Sequence, residues 1–396
     1  MHPQTATTEP YDVVVVGARM GGAATAMLLA RVGMRVALLD RSCMMSDTLS
    51  THALMRGGVL QLHRWGLLDR VKATGVPPVH KTTFTYADSV LPVVIKPADG
   101  VDALYAPRRT VIDPILVQAA AEAGADFRYG LRVRGLTRTA DGRPSGVTGE
   151  DVHGNQFSIP ARFVVGADGI HSTIARLVAA PIEHSGQHTA VTTYGYWTGA
   201  DIDGYEWVFV RDAAAGLIPT NDNQVVVFAN ATQQRIRRGG VSVIQSILRS
   251  SAPELAERLR DAQPPAGTRL FRAPPGFVRR SWGRGWALVG DAGFYKDPIS
   301  AHGMTDALRD AELLARALIA IDQGMDEAVA LTEYQSTRDA LAVPMLHIAD
   351  AIASHQWTNT EIVDLGKQLA AVFRKETTLL TELDRNDAAR QPVRAA

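Results

Sequence analysis

Apolar positions along the chain fall into two patterns. In the first 180 residues and again near residue 290, short unbroken apolar runs alternate with longer stretches of helix formers. Val13 to Val16 is entirely β-branched, as a strand buried on both faces of a parallel sheet requires. Ala23, Ala24, Ala26, Met27, Leu28, Leu29 and Ala30 then predict a helix that Gly33 ends, and a second apolar run, Val36 to Leu39, closes at Asp40. The result is a βαβ unit of about 30 residues. A further strand, turn and helix are predicted from Trp286 to Val289, the turn Gly290–Asp291, the loop FYKDPISAHG and a helix from about Met304 to Ile321.

The second pattern begins near residue 181. TAVTTYGYWTG, YEWVFVRD, AAGLIPTN and QVVVFANAT are rich in β-branched and aromatic residues with Gly and Asn turns between them, which predicts an antiparallel sheet. Residues 241–262 predict one or two helices, and residues 81–102 read as strands that join the same sheet. A helix is expected from Pro114 to Ala123, ended by Gly124, followed by strands in FRYG and LRVRGLTR and a hairpin in GVTGEDVHGNQFSI. Helical spacing predicts long helices from 330 to about 383, with the polar tail DRNDAARQPVRAA frayed.

Both strand-turn-helix segments bring the free N–H groups of a helix start toward an anionic ligand. In the first, Gly17 and Gly22 occupy the first and third positions of a dinucleotide fingerprint, and Arg19 stands where the second glycine belongs. Its side chain either contacts phosphate or points into solvent. Asp40 is placed to bond a ribose hydroxyl. In the second segment Asp291 can accept a bond from a ribityl or ribose hydroxyl, Pro298 fixes the backbone, and Gly303 allows close approach. Two such devices about 270 residues apart suggest one ligand held at both ends.

Three motifs in this order resemble the class A flavoprotein monooxygenases of the para-hydroxybenzoate hydroxylase type, with the related flavin halogenases and geranylgeranyl reductases. They are G-A-R-M-G-G at Gly17 to Gly22, G-A-D-G at Gly166 to Gly169, and G-D-A-G with D-P-I-S-A-H-G from Gly290 to Gly303. The resemblance implies an α/β fold: a Rossmann-like FAD-binding domain with an inserted antiparallel substrate sheet and C-terminal helices. The FAD-binding parts would be 10–80, 103–180 and 282–345, the substrate parts 81–102 and 181–281, and the C-terminal helices and tail 346–396. It also implies that Gly17, Ala18, Arg19, Gly21 and Gly22 hold the FAD diphosphate and that Asp40, with Arg41 and Val133, serves its adenosine end. Arg56 and Arg109 would be basic residues on the flavin side. Asp168 would support the middle turn, Asp291 hold the ribityl chain, and Gly303 and Met304 start the helix facing the ring. Pro298 and Ser300 belong to the loop beside the isoalloxazine, and His52 is taken for proton handling because imidazole titrates near working pH.

The activity so implied is hydroxylation or epoxidation of a small aromatic or polyketide-like substrate, using oxygen and a transiently bound NAD(P)H. A C=C reductase or a halogenase on the same scaffold, and a non-catalytic flavin-binding protein, are the rival readings. The halogenase motif W-x-W-x-I-P is absent from the sequence.

Composition narrows the partners. The 396 residues exceed what one core fills, so two domains are expected. Lys plus Arg equals Asp plus Glu at 41 each, which offers no field for nucleic acid. Cys43, the lone cysteine, excludes an internal disulfide and is read as a plain small side chain. No apolar run approaches a membrane span, and MHPQTATTEP lacks the apolar core of a signal peptide, so a cytoplasmic protein is expected. Oligomeric state is left open. No metal is expected: His184 and His188 flank Gly186 without a third ligand. Ser50, Thr51 and His52 line the cavity or cap locally. Tyr194, Tyr196, Trp197, Tyr205 and Trp207 form either an aromatic pocket or sheet core.

Overall fold

The computed structural model describes residues 9–42, 46–86 and 89–390, so Cys43 and both chain ends lie outside the described residues. The β-branched run becomes the strand Tyr11–Val16, paired in parallel with Val36–Leu39 on one side and with Gln156–Gly166 on the other. Both its faces are covered. Val13 and Val15 pack with the helix Met20–Arg31, and Val14 and Val16 pack with Leu39 and Val164 on the opposite side. Trp286–Leu288 pairs in parallel with Gln156–Gly166, and Asp126–Arg128 extends the ladder beyond Val36–Leu39. The eleven-residue strand Gln156–Gly166 serves two partners. Its first half carries the antiparallel strands Pro144–Glu150 and Arg132–Arg138, and its second half joins the parallel ladder.

This register places the three glycine motifs side by side. Val16 pairs with Gly166, and Gly166 with Leu288, so the turns at Gly17, Ala167 and Gly290 leave the same carboxyl edge of the sheet. In open α/β sheets that edge is where ligands bind.

A seven-stranded sheet runs in the order Arg269–Arg272, Val191–Thr198, Gln224–Ala231, Ala213–Thr220, Tyr205–Val210, Lys81–Tyr86, Ser89–Val94. Its pairings are antiparallel except between Tyr205–Val210 and Lys81–Tyr86, which run parallel. The period-two alternation divides its residues. Tyr194, Tyr205, Trp207, Phe209 and Phe228 join the large core shared with the dinucleotide-type unit, whereas Trp197, Leu217, Val225 and Val227 pack under the helices Val241–Ser251 and Pro253–Arg258. The aromatic stretch is thus split: Trp197 is sheet core on the far side.

The helix expected from Pro114 begins earlier, as Arg109–Glu122, with Pro114 inside it. An i,i+4 ion pair between Arg109 and Asp113 supports the added first turn. Gly303–Asp322, Glu327–Ala353 and Asn359–Arg390 are the long C-terminal helices. No described helix is long and apolar enough to cross a membrane.

Candidate functional site

Gly17 has φ +104°, and a Cβ there would overlap the Ala167 carbonyl. A Cβ at Gly22 would overlap the Gly17 carbonyl oxygen. Glycine is required at Gly17 because the turn is pressed against the neighbouring Gly166–Gly169 turn, and at Gly22 because the turn folds back on its own Gly17 carbonyl. Asp40 ends the second strand, buried, and binds this turn from the other side. Its Oδ2 accepts from Ala18 N at 2.7 Å, and its Oδ1 accepts from Ser42 N at 2.8 Å and from Ser42 Oγ at 2.6 Å. Arg41 is exposed, and Val133 is buried in the strand Arg132–Arg138.

Arg19 does not simply point into solvent. Its guanidinium pairs with Asp113 Oδ2 at 2.8 Å and donates to Ser46 O and Ser46 Oγ, each at 2.8 Å. Arg109 holds the other oxygen of the same carboxylate at 2.9 Å. Ala18, Arg19, Asp40, Ser46, Arg109 and Asp113 line one cleft at the sheet edge, so two guanidiniums share one buried anion there. With Asp40 counted, the cleft's formal charges balance, and what it offers a diphosphate is guanidinium donors. Asp113 and Ser46 escaped the reading of the sequence, although the i,i+4 spacing of Arg109 and Asp113 was a usable signal.

Asp168 accepts from Thr173 N at 2.6 Å and Ile174 N at 3.2 Å, and from the Ser172 hydroxyl. It binds the first two N–H groups of the helix Thr173–Leu177, whose N-cap is Ser172, and enclosure by the protein raises its carboxyl above the usual range. Arg56 spends its guanidinium on the backbone carbonyls of Lys96, Val101 and Ala98, on the loop after the strand Ser89–Val94. It does not join Arg109 at the cleft.

At the second device, Asp291 faces open space although protein surrounds it on most sides. Its side chain has no hydrogen-bond partner among the described residues. That enclosure pushes its carboxyl up to about 6, against the pull of Lys296 and Arg109. Asp297 caps the turn Pro298–Ser300 by accepting from Ile299 N at 2.9 Å, and its other oxygen accepts from Ala190 N at 3.2 Å. Burial pushes Asp297 up to about 6 as well. Ala301 then turns left-handed at φ +49°, and Gly303 opens the helix with nothing within 4 Å of where a Cβ would stand. The Ser300 and Thr305 hydroxyls are buried without partners. Met304, also buried, packs in the core shared with the sheet.

These features fit FAD. The paired glycines admit a diphosphate, the unpaired Asp291 carboxylate suits a ribityl hydroxyl, and the open Gly303 with two orphaned hydroxyls suits the polar edge of a ring.

His52 is 1% exposed, with φ +67°, and its Nε2 lies 2.6 Å from the Tyr196 hydroxyl. Burial, with Arg109 and Arg108 adding to it, lowers its imidazole to about 3. The expectation that this imidazole titrates near working pH is therefore corrected: the ring is neutral there and is hydrogen-bonded to Tyr196. Ser50 Oγ accepts from His52 N at 3.0 Å, while Ser50 N donates to Tyr194 Oη at 3.0 Å, so this segment both caps locally and touches the aromatic face. His184 lies in the strand Ile182–Ser185, and His188 binds Asp350 through Nδ1 at 2.8 Å.

A family profile described as FAD binding domain matches residues 10–349, and the chain belongs to that family. It is a FAD-binding flavoprotein of the oxidoreductase class. Over 415 residues it is 25% identical to the digeranylgeranylglycerophospholipid reductase of Methanocella arvoryzae, covering 94% of this chain and 98% of that one. It is 26% identical over 371 residues to the phenazine 1,6-dicarboxylic acid hydroxylase PhzS of Lysobacter antibioticus, covering 84% and 87%. The fold matches the flavin-dependent brominase Bmp2 with a TM-score of 0.77 at 15% identity, covering 97% of this chain and 100% of that one.

Proposed function

We propose that the protein is an NAD(P)H-driven, FAD-dependent monooxygenase that hydroxylates or epoxidises a small aromatic or polyketide-like substrate. One observation carries this reading. Asp297, in the loop on the flavin side, is bonded to Ala190, the residue before the strand Val191–Thr198, which presents Tyr194 and Tyr196 toward the FAD unit. A planar substrate lying on that aromatic face is held beside the loop. The hydroxylase relative, named for an aromatic acid, points the same way.

When bound, FAD supplies two-electron reduction and oxygen activation. The chain supplies the rest. Gly17, Gly22, Arg19 and Arg109 receive the diphosphate, Asp40 and Asp291 the hydroxyls of the two sugar chains. The N–H groups at Gly303 and Met304 would be the donors offered to the polar edge of the bound ring. Tyr194, Tyr196, Trp207 and Phe228 exclude water, and His52 holds the Tyr196 hydroxyl in place. NAD(P)H, with no dinucleotide unit of its own among the described residues, binds transiently, and the cytoplasm is the compartment proposed.

A C=C reductase is the second reading, favoured by a reductase relative that matches nearly the whole chain. The deciding experiment is a screen for small molecules that accelerate NAD(P)H oxidation, followed by mass analysis under labelled oxygen. Incorporation of one oxygen atom supports the monooxygenase. A product two hydrogens heavier, formed equally without oxygen, replaces it with the reductase. Halide-dependent product replaces it with a halogenase, and no acceleration by any compound favours a non-catalytic flavin protein.

A further inference from the structure

The helix Val241–Ser251 packs on the face of the seven-stranded sheet turned away from the FAD unit, and around it stands positive charge that the fold does not balance. From Asn223 to Pro253 the chain holds Arg235, Arg237, Arg238 and Arg249 and no acid. All four are exposed, and so is Arg272, which donates to the Arg237 carbonyl. None of the five is in an ion pair among the described residues. Nearby arginines in the chain are matched: Arg258 with Glu206, Arg260 with Glu257 and Arg269 with Asp47. The unpaired acids on either side, Asp212 before the strand Ala213–Thr220 and Glu254 in the helix Pro253–Arg258, are two against five.

The arginines border a groove. Arg235 donates to the Ser250 and Ser251 hydroxyls, both at 2.9 Å, in the last turn of the helix, and Gly240 stands just before its first turn. Residues 235–240 therefore run back along the helix from its end to its start. Beside the helix lies an open groove of about 260 Å³ lined by Arg235, Ser242, Val243, Ser246, Ile247 and Ser250. The three serines, four residues apart, share one face, and Arg249 is the neighbour of Ser246 at i+3. The first turn has no acid and no side-chain cap, so its free N–H groups add to the positive potential.

This lining selects a class of ligand. A guanidinium binds carboxylate and phosphate alike, but one carboxylate brings a single charge and leaves most of the surplus unanswered. A phosphate ester brings about two charges and several acceptor oxygens, for which guanidinium and serine hydroxyls are the donors. Val243 and Ile247 supply an apolar floor for the organic part. No large apolar side chain is exposed between residues 235 and 272, so the rim has nothing to insert into a bilayer.

We propose that this groove is an accessory binding site for a phosphorylated small molecule, with Arg235 and Arg249 as its phosphate receptors. It lies across the sheet from the aromatic face of Tyr194 and Phe228 and is separate from the flavin site. Two sources present this chemistry: the phosphates of NADPH, and a phosphorylated molecule that takes no part in the flavin reaction. The inference does not depend on which reaction the flavin performs.

The test is calorimetric titration of FAD-saturated holoenzyme with inorganic pyrophosphate, for the parent, Arg235→Ala, Arg249→Ala and Arg260→Ala. The expected result is one site per chain, weakened about tenfold in each groove variant and weaker at high salt, with Arg260→Ala like the parent because that arginine is already paired. Steady-state KM values then separate the sources. A KM raised for NADPH and not for NADH in the groove variants identifies the co-substrate's phosphate, and unchanged values for both assign the groove to a separate molecule; either result keeps the proposal. No saturable binding to the parent overturns it, as does binding seen only in apo-protein, which belongs to the cofactor cleft. Equal loss in Arg260→Ala reduces the effect to net charge and overturns it as well. So does binding of phosphatidylglycerol vesicles without binding of pyrophosphate, which makes the patch a membrane contact. Should Arg235→Ala fail to fold, Arg249→Ala decides alone.

Discussion

Arg19 Nη1 lies 2.8 Å from Asp113 Oδ2, tying the position where a dinucleotide fingerprint has its second glycine to the helix Arg109–Glu122. The arginine is held against Asp113 and Ser46 in the wall of the cleft. Arg19→Ala is expected to weaken FAD binding about tenfold at low salt, with a smaller effect at high salt where the guanidinium is screened. Fluorescence titrations of apo-protein at two ionic strengths check this. Equal dissociation constants for mutant and parent at both would remove Arg19 from the cofactor site.

Asp40 closes the same turn through Ala18 N and Ser42. Asp40→Ala is expected to weaken FAD by about 1–3 kcal/mol, the usual loss when a buried charged acceptor leaves its donors unpaired. Isothermal titration with FAD measures it. Asp40→Asn, which keeps one acceptor, should lose less than the alanine variant.

For the loop Asp297–Gly303 the expectation is a separation of effects. Pro298→Gly frees the backbone of a turn that Asp297 caps, and Gly303→Val puts a branched side chain into open space that a ring would fill. Both variants should retain most of their FAD while NAD(P)H oxidation slows or peroxide leakage rises. Stopped-flow reduction and a peroxide assay decide. Parent-like values in both would make the loop a mere connector.

Asp297 also predicts a pH dependence of stability. Burial raises its carboxyl to about 6 in the folded protein, against about 4 in the unfolded chain. Between those values the folded state holds the proton more tightly, so stability falls as pH rises from about 4 to about 6 and is level above. The full shift corresponds to at most about 3 kcal/mol. Asp291, raised in the same direction, adds a slope of the same sign. Asp297→Asn, whose amide oxygen still accepts from Ile299 N, should flatten part of this decline. Urea denaturation of apo-protein near pH 5 and pH 7 tests it, and an undiminished slope counts against the buried carboxyl as its source.

His52 is expected to leave no mark on the pH profile. Its imidazole is lowered to about 3, so it carries no charge change between about pH 5 and 8. His52→Asn should lower turnover by loosening the Tyr196 hydroxyl without removing any ionisation in that range. A kinetic pKa near neutrality that vanishes in the variant would show that the ring titrates after all.

The chain by itself determined its elements where local pattern is strong. The β-branched run at Val13, the alanine-rich helix ended by Gly33 and the acid at Asp40 define a buried parallel strand and its crossover, because a strand covered on both faces is apolar at consecutive positions and the helix between the two runs supplies the crossover. The alternating aromatic strands from 191 to 231 were equally plain, and so was the FAD-binding class, since three turns of the right kind stand in the right order. Local pattern misled where a distant partner intervened. The parallel pairing of Lys81–Tyr86 with Tyr205–Val210 joins strands more than 100 residues apart, whereas the helix start at Arg109, ahead of Pro114, rests on a local i,i+4 pair with Asp113 that the sequence did hold.

Tertiary structure alone decided the electrostatics. Nothing in the order of residues says that Arg19 and Arg109 share Asp113, that His52 is buried between Tyr196 and two arginines, or that Glu376 reaches back to His302. Hydrophobic periodicity is a short-range signal that records which face of an element is covered. The charge state of a buried group depends on every neighbour within a few ångströms, and those neighbours are brought together by packing between elements far apart in the chain.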